Sequence, residues 1–328
     1  MSSGRVVYHN GEFVKELDAR VHIFDSALMF GDMVFEMTRS FNGEQFKLRE
    51  HLERLFNGIR ILRIPIRQSI DEMIDICEET VRMNRVAFER TDEHRLLINV
   101  SRGPLGLYAP VFDNKLEPTV IVADFPLKWT VAGMDVLIDE GINAVVTSQR
   151  AIPADLLEPK IKNRSRLHYQ MANIEASQVA GKNNWALLLD TDGFVAEGSG
   201  DNVFFVKNGT VFTPEARNIL VGISRNYIFD LCEQLEIPCK EMNFGLYEAS
   251  TADESFMTAT PFCLLPVTSI NGLKLGNGKM GPITKMLHDQ WSKNVGLNIF
   301  DQIKMFSREV SSLNSSQPTP YQFRKTDD

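Results

Sequence analysis

Three places in the chain bring together residue types that could do chemistry. Lys162 follows the apolar pair Leu156-Leu157 and the turn Glu158-Pro159, at a junction between a loop and a helical pattern. A lysine partly withdrawn from water at such a junction can act as a nucleophile or form a Schiff base, whereas most lysines are simply solvated. Lys160 competes with it, two residues earlier. Glu197 stands at the mouth of Gly198-Ser199-Gly200, where the backbone can bend sharply and approach a ligand closely. Its plain alternative is a polar hairpin tip. Val221-Gly222-Ile223-Ser224 opens a helical pattern, where free N–H groups and the helix dipole favour an anion, or where a serine simply caps the helix.

The elements around these residues follow from turn residues and hydrophobic period. Asp192-Gly193 and Asn208-Gly209 are hairpin-type turns between apolar runs, so the stretch from Leu187 to Phe212 reads as three short strands, with Glu197 between the first two. Earlier, Asn10-Gly11 and Asn42-Gly43 mark two further hairpins, with strands at 21–24, 34–41 and 46–48. A helix is expected from near Glu50, with Leu52, Leu55, Phe56, Ile59 and Leu62 on its apolar face and Arg54 off that face. Ser69 caps the next helix. The helix after Lys162 is expected to bury Leu167, Met171 and Ile174.

The totals narrow the function classes. The 328 residues carry a net charge of -8, which supplies no basic footprint for nucleic acid or a membrane surface. No apolar run approaches the roughly 20 residues that span a bilayer, and the N-terminus lacks the apolar core of a secretion signal. Cys77, Cys232, Cys239 and Cys263 form no CxxC, so buried thiols in a cytoplasmic setting are expected, and the histidines show no metal-ligand spacing. The fold class expected is α/β, in an α+β two-domain form. A small domain of antiparallel sheet plus helices covers 1–128, a connection 129–140, a larger sheet-and-helix domain 141–310, and a poorly ordered tail 311–328.

Glu197-Gly-Ser-Gly-Asp-Asn202-Val-Phe, then Thr213-Pro214, then Gly222-Ile-Ser-Arg225 resembles the pattern of class IV (fold type IV) pyridoxal-phosphate aminotransferases. That group includes branched-chain and D-amino acid aminotransferases, (R)-selective amine transaminases and aminodeoxychorismate lyases. The resemblance runs from Asn10-Gly11 through Arg49-Glu-His51-Leu-Glu-Arg54-Leu55 to Gly281-Pro-Ile-Thr284-Lys285. It implies pyridoxal 5'-phosphate as cofactor, in a cleft between the domains. Lys162 matches the lysine that carries the cofactor and moves the proton. The spacing of Lys162 to Glu175-Ala176 matches the D-amino acid branch and favours Lys162 over Lys160. Glu197 matches the acid on the pyridine nitrogen, and Arg54 the phosphate-binding arginine, with Ile223, Ser224 and Thr260 as further phosphate partners. Each role is chemically apt, because a carboxylate keeps the ring nitrogen protonated and a guanidinium suits a phosphate.

The resemblance further implies an amino donor, a 2-oxo acid acceptor, and a homodimer or higher oligomer. A hydrophobic, branched-chain-like donor with 2-oxoglutarate is the first expectation. A D-amino acid or (R)-amine transaminase is the second, and an aminodeoxychorismate lyase-like enzyme the third. At positions matching the branched-chain pocket stand Phe35, Arg39 and Arg95, but Phe30 and Glu93 replace tyrosines, and the turn Thr260-Pro261-Phe262 is bulkier than usual, with Pro261 lacking an N–H. The tyrosine expected shortly after the lysine gives way to Leu167. The Arg-x-His carboxylate trap of the D-amino acid branch is not visible in Gly103-Pro-Leu-Gly-Leu-Tyr108.

Overall fold

The structure, a computed structural model, describes residues 4–310. The tail expected at 311–328 lies outside the described residues. The chain forms two compact units. One comprises the residues up to Leu127 together with Ile161–Arg166; the other comprises Lys128–Lys160 and the residues from Leu167 onward.

In the first unit the strands are β1 (Val6–His9), β2 (Glu12–Lys15), β3 (Met33–Met37), β4 (Ser40–Phe41), β5 (Glu44–Gln45), β6 (His94–Ser101) and β7 (Thr119–Pro126). Five of them make an antiparallel sheet in the order β2-β1-β7-β6-β3, with β4 and β5 a separate hairpin. The helices are α1 (Ser26–Phe30), α2 (Leu48–Leu62) and α3 (Ile70–Asn84). The expected stripe on α2 is the packed one: Leu52, Leu55 and Ile59 are buried with Met73 and Cys77 of α3 and with Val34, Leu96 and Ile98 of the sheet. Gly58 permits the close approach, since a Cβ there would stand 2.9 Å from Val34 Cγ1. Ser69 caps α3 as expected, in a capping box with Glu72.

Two strand expectations fail here. Residues 21–24 form no strand; His22 packs on Phe112 and Phe24 stacks on Tyr108 instead. The run 46–48 is not a strand either, because the hairpin closes at β5 and Lys47 turns through φ 50° into α2. Glu93 holds that hairpin. Its buried carboxylate accepts from Ser40 Oγ and from the Asn42 and Gly43 amides at 2.7 and 3.1 Å, which pins a tight turn and a short hairpin.

The second unit holds β8 (Ile142–Arg150), β9 (Asn184–Leu189), β10 (Val195–Gly198), β11 (Asn202–Lys207), β12 (Thr210–Thr213), β13 (Cys239–Glu241), β14 (Glu254–Ala259), β15 (Cys263–Ile270) and β16 (Leu273–Lys274). They form one sheet in the order β10-β9-β8-β15-β14-β11-β12-β13, with β16 beside β15. Its helices are α4 (Lys128–Val131), α5 (Asp135–Glu140), α6 (Leu167–Gln178), α7 (Ile223–Gln234), α8 (Leu246–Ser250), α9 (Pro282–Val295) and α10 (Ile299–Glu309). The stretch 129–140, expected as a connection, is instead two short helices whose Val131, Leu137 and Ile138 are buried near α10.

Strands β8 and β9 are parallel, so the chain between them must cross over. That crossover contains Lys162 and then α6. The segment Ile161–Arg166, expected within the second domain, leaves it for the first unit. Ile161 joins the core beside Val34, Asn163 bridges Val34, and the Phe35 amide donates to the Lys162 carbonyl at 2.9 Å. The buried face of α6 also differs from expectation. Leu167 and Met171 are exposed, and Tyr169, Ala172 and Ala176 lie against Ala186, Leu188 and Ala196. Small residues let the helix lie close to the sheet, so its large apolar residues mark the outer side.

Candidate active site

Lys162 owes its position to the pairing of its segment with β3. Lys162, Arg164 and Arg166 all reach the ring of Phe35: Lys162 Nζ lies 4.8 Å from the ring centroid, and the Arg164 and Arg166 Cζ atoms 3.6 and 5.8 Å from it. Phe35 itself is buried. Lys160 lies elsewhere in character, half exposed and 4.0 Å from Glu158.

On β3 the residues flanking Phe35 turn toward α2. Glu36 there is fully buried and accepts from Arg54 Nε and Nη2 at 2.6 and 2.8 Å and from His51 Nδ1 at 2.8 Å. Arg54 thus lies in a buried ion pair, its fork matched to one carboxylate. Burial pushes the Glu36 carboxyl up, but the Arg54 and His51 charges and hydrogen bonds hold it well below the usual range. Burial pushes the His51 imidazole down; the Arg54 and Lys162 charges add to this, and Glu36 opposes it. Both groups bind protons less readily folded than unfolded. Each therefore contributes stability that is present at neutral pH and lost in acid, His51 below about 6.5 and Glu36 below about 4.3. His51→Gln is expected to flatten the loss of denaturant resistance between about pH 7 and about pH 5. An equal loss in variant and parent would remove His51 from the acid sensitivity.

In the second unit, Glu197 lies within β10 rather than between strands as expected. The register against β9 shifts between Val195 and Gly198, so a bulge on β10 re-aims the acid. The carboxylate is buried and accepts from Tyr169 Oη at 2.5 Å and from the Leu220 amide at 3.0 Å, with Asn202 Nδ2 at 3.4 Å. Such donors offset the cost of burying its charge. Asn202 also donates to the Leu220 carbonyl at 2.9 Å, which ties Glu197 to the loop leading into α7. Sequence reasoning misses Tyr169. It stands two residues past Leu167, the position where a tyrosine is expected, and its signal is a lone tyrosine in the first turn of α6.

Helix α7 begins at Ile223 with Gly222, not Ser224, as its N-cap; Ser224 is the second helical residue and is buried. A Cβ on Gly222 would stand 2.3 Å from Asn202 Oδ1, so a side chain there would displace the residue that orders Glu197. The first amides of α7 have no acceptor within the helix. Thr260 and Pro261 lie half-buried between β14 and β15, whereas Phe262 is buried with its ring edge-on to Trp185 at 5.6 Å. Among the remaining expected pocket residues, Phe30 ends α1 in an exposed position. Arg39 is buried with its guanidinium 3.8 Å over Phe41, and Arg95 is buried with Nη2 3.6 Å from Met37 Sδ.

The sequence pattern of the family described as "Amino-transferase class IV" matches residues 33–270. The chain belongs to the class IV aminotransferases. This aminotransferase is 38% identical over 303 residues to a Methanocaldococcus jannaschii protein provisionally named a branched-chain-amino-acid aminotransferase, covering 90% of this chain and 99% of that one. It is 33% identical over 287 residues to the branched-chain-amino-acid aminotransferase of Escherichia coli strain K12, covering 86% and 90%. Among solved structures, a T.th. branched-chain amino acid aminotransferase in complex with N-(5'-phosphopyridoxyl)-L-glutamate matches with a TM-score of 0.78 at 28% identity, covering 89% of this chain and 94% of that one. Class IV aminotransferases use pyridoxal 5'-phosphate, and an amino acid and a 2-oxo acid are their substrates. Among the described residues, no helix is long and apolar enough to cross a membrane.

Proposed function

We propose that this aminotransferase moves the amino group of a hydrophobic, branched-chain-like amino acid to a 2-oxo acid such as 2-oxoglutarate. The observation that carries the reading is the Lys162 ammonium over the face of buried Phe35, an amine beside an apolar wall. The names of the similar proteins from M. jannaschii and E. coli support it. The cofactor, when bound, supplies an electron sink for the carbon that loses its proton. Lys162 would carry the cofactor and move that proton, as base and then as acid. Glu197, held by Tyr169 and the Leu220 amide, would pair with the ring nitrogen. Buried Ser224 and the first amides of α7, with Ile223, Thr260 and Arg54, would be the residues to hold the phosphate. This donor set fits the group: a buried carboxylate with fixed donors for a cationic ring, and a helix start for a dianion. The Glu93 carboxylate serves the hairpin turn.

The active species in this reading is a homodimer. Ile23, Leu28, Met29, Phe30, Leu107 and Val111 are exposed on two adjoining stretches of the first unit, joined by the Asp25–Pro104 bridge. Apolar residues exposed on adjoining stretches in this way suit contact with a second copy of the chain. Four free cysteines suit the cytoplasm.

A donor screen over L- and D-amino acids and both enantiomers of a simple aryl amine tests the substrate. L-leucine, L-isoleucine and L-valine are expected to lead it with 2-oxoglutarate as acceptor. Preference for a D-amino acid or an (R)-amine would overturn the assignment.

A further inference from the structure

We propose that Arg164 is the residue that grips the substrate carboxylate, an inference that rests on Lys162 as the reacting lysine. Both substrates carry a carboxylate on the carbon that bears the amino or oxo group. A group that binds it must therefore stand close to the reacting lysine. The segment Ile161–Arg166 meets that requirement by its geometry. Asn163 bridges Val34, which lays the segment that carries Lys162 and Arg164 against β3. Both reach the same aromatic ring, the Lys162 amine at 4.8 Å and the Arg164 guanidinium at 3.6 Å from its centroid.

The guanidinium is fixed in two ways. Its Cζ lies over the Phe35 ring, and Nη2 donates to Asn99 Oδ1 at 3.1 Å. A planar fork held in this manner is preorganised for a carboxylate, whose two oxygens match two parallel N–H groups. Arg164 and Lys162 are half-buried, open enough for a small anion yet shielded enough to strengthen its binding. Three of the other places from which a carboxylate grip would be expected are poorer. Pro261 has no N–H, the side chain of Phe262 is buried against Trp185, and the loop 103–108 carries no Arg-x-His. Arg39 is 1% exposed and stacked on Phe41. Phe35 then serves as the aromatic support of Arg164.

The test uses Arg164→Gln and Arg164→Lys in the cofactor-loaded enzyme. Two donors with the same side chain are compared through the cofactor spectrum: L-leucine, and 3-methylbutylamine, which lacks the carboxylate. Binding of 4-methylvalerate is measured by calorimetry as a readout independent of turnover. Arg164→Gln is expected to lower the leucine half-reaction and the 4-methylvalerate affinity by about 10- to 100-fold, and the amine half-reaction by less than about threefold. Arg164→Lys should restore part of the loss, since it returns the charge without the fork. Asn99→Ala should reproduce a smaller loss of the same selectivity. Equal losses on both donors, or unchanged affinity for 4-methylvalerate, would overturn the proposal. So would loss of the cofactor's visible band in Arg164→Gln alone, which would make Arg164 a cofactor-holding residue. Absence of that band from the parent enzyme after addition of pyridoxal 5'-phosphate would instead sink the cofactor reading and this one with it.

Discussion

Lys162→Ala is expected to lower turnover by about four orders of magnitude or more, because it removes both the covalent anchor and the proton-transferring group. The fold should survive. The segment is held by the Ile161 side chain in the core, by the Asn163–Val34 bridge, and by the Lys162 carbonyl, none of which needs the amine. The circular dichroism spectrum and the melting temperature should therefore match those of the parent. Lys160→Ala, which removes an amine half exposed beside Glu158, should leave turnover near the parent level. Retained activity in the first variant, or its loss in the second, would transfer the role to Lys160.

Glu197→Gln is expected to lower kcat by about 10²- to 10³-fold, the scale on which a single preorganised electrostatic group acts. The variant is close to isosteric, and its hydrogen bonds can be rebuilt. An amide oxygen can still accept from the Leu220 N–H, while the NH2 can donate to the Tyr169 hydroxyl, which also accepts. What is lost is the negative charge facing the ring nitrogen. Cofactor affinity should accordingly fall much less than the rate does. An unchanged kcat would refute the ring-nitrogen role, and failure to retain any cofactor would recast Glu197 as an anchoring group.

Much of this was legible in the chain because the signals were local. The Leu52, Leu55 and Ile59 stripe, the Ser69 capping box and the Asp192-Gly193 and Asn208-Gly209 turns each involve residues a few positions apart, and each stands where expected. The expectations that failed depended on partners distant in sequence. Glu93 closes a hairpin fifty residues upstream, which shortened the strand read through Phe46. Ile161 leaves its own neighbourhood for the core around Val34, a choice that hydrophobicity alone does not disclose. In α6 the hydrophobic period pointed to Leu167 and Met171, whereas close packing on the sheet selected alanines and Tyr169.

The candidate site divides along the same line. Lys162, Glu197 and Gly222-Ile223-Ser224 stood out through local chemistry and through resemblance to a family. The groups that orient them did not. Tyr169 reaches Glu197 from a different element, and a serine at a helix start looked like a cap until Gly222 proved to hold that position. Glu36 and His51, which surround Arg54 in the interior, gave no pattern of their own because charge pairs across a strand and a helix have no fixed spacing. Arg164 was likewise one basic residue among several; the Asn163–Val34 bridge sets its segment against β3, with its guanidinium over Phe35.

The most direct measurement is borohydride reduction of the holoenzyme, which fixes the cofactor to whichever lysine carries it, followed by peptide mass spectrometry. The phosphopyridoxyl group is expected on Lys162, in the peptide that also contains Asn163, with Lys160 unmodified. Its attachment to Lys160, or to no lysine at all, would contradict the assignment of Lys162 as the centre of this site.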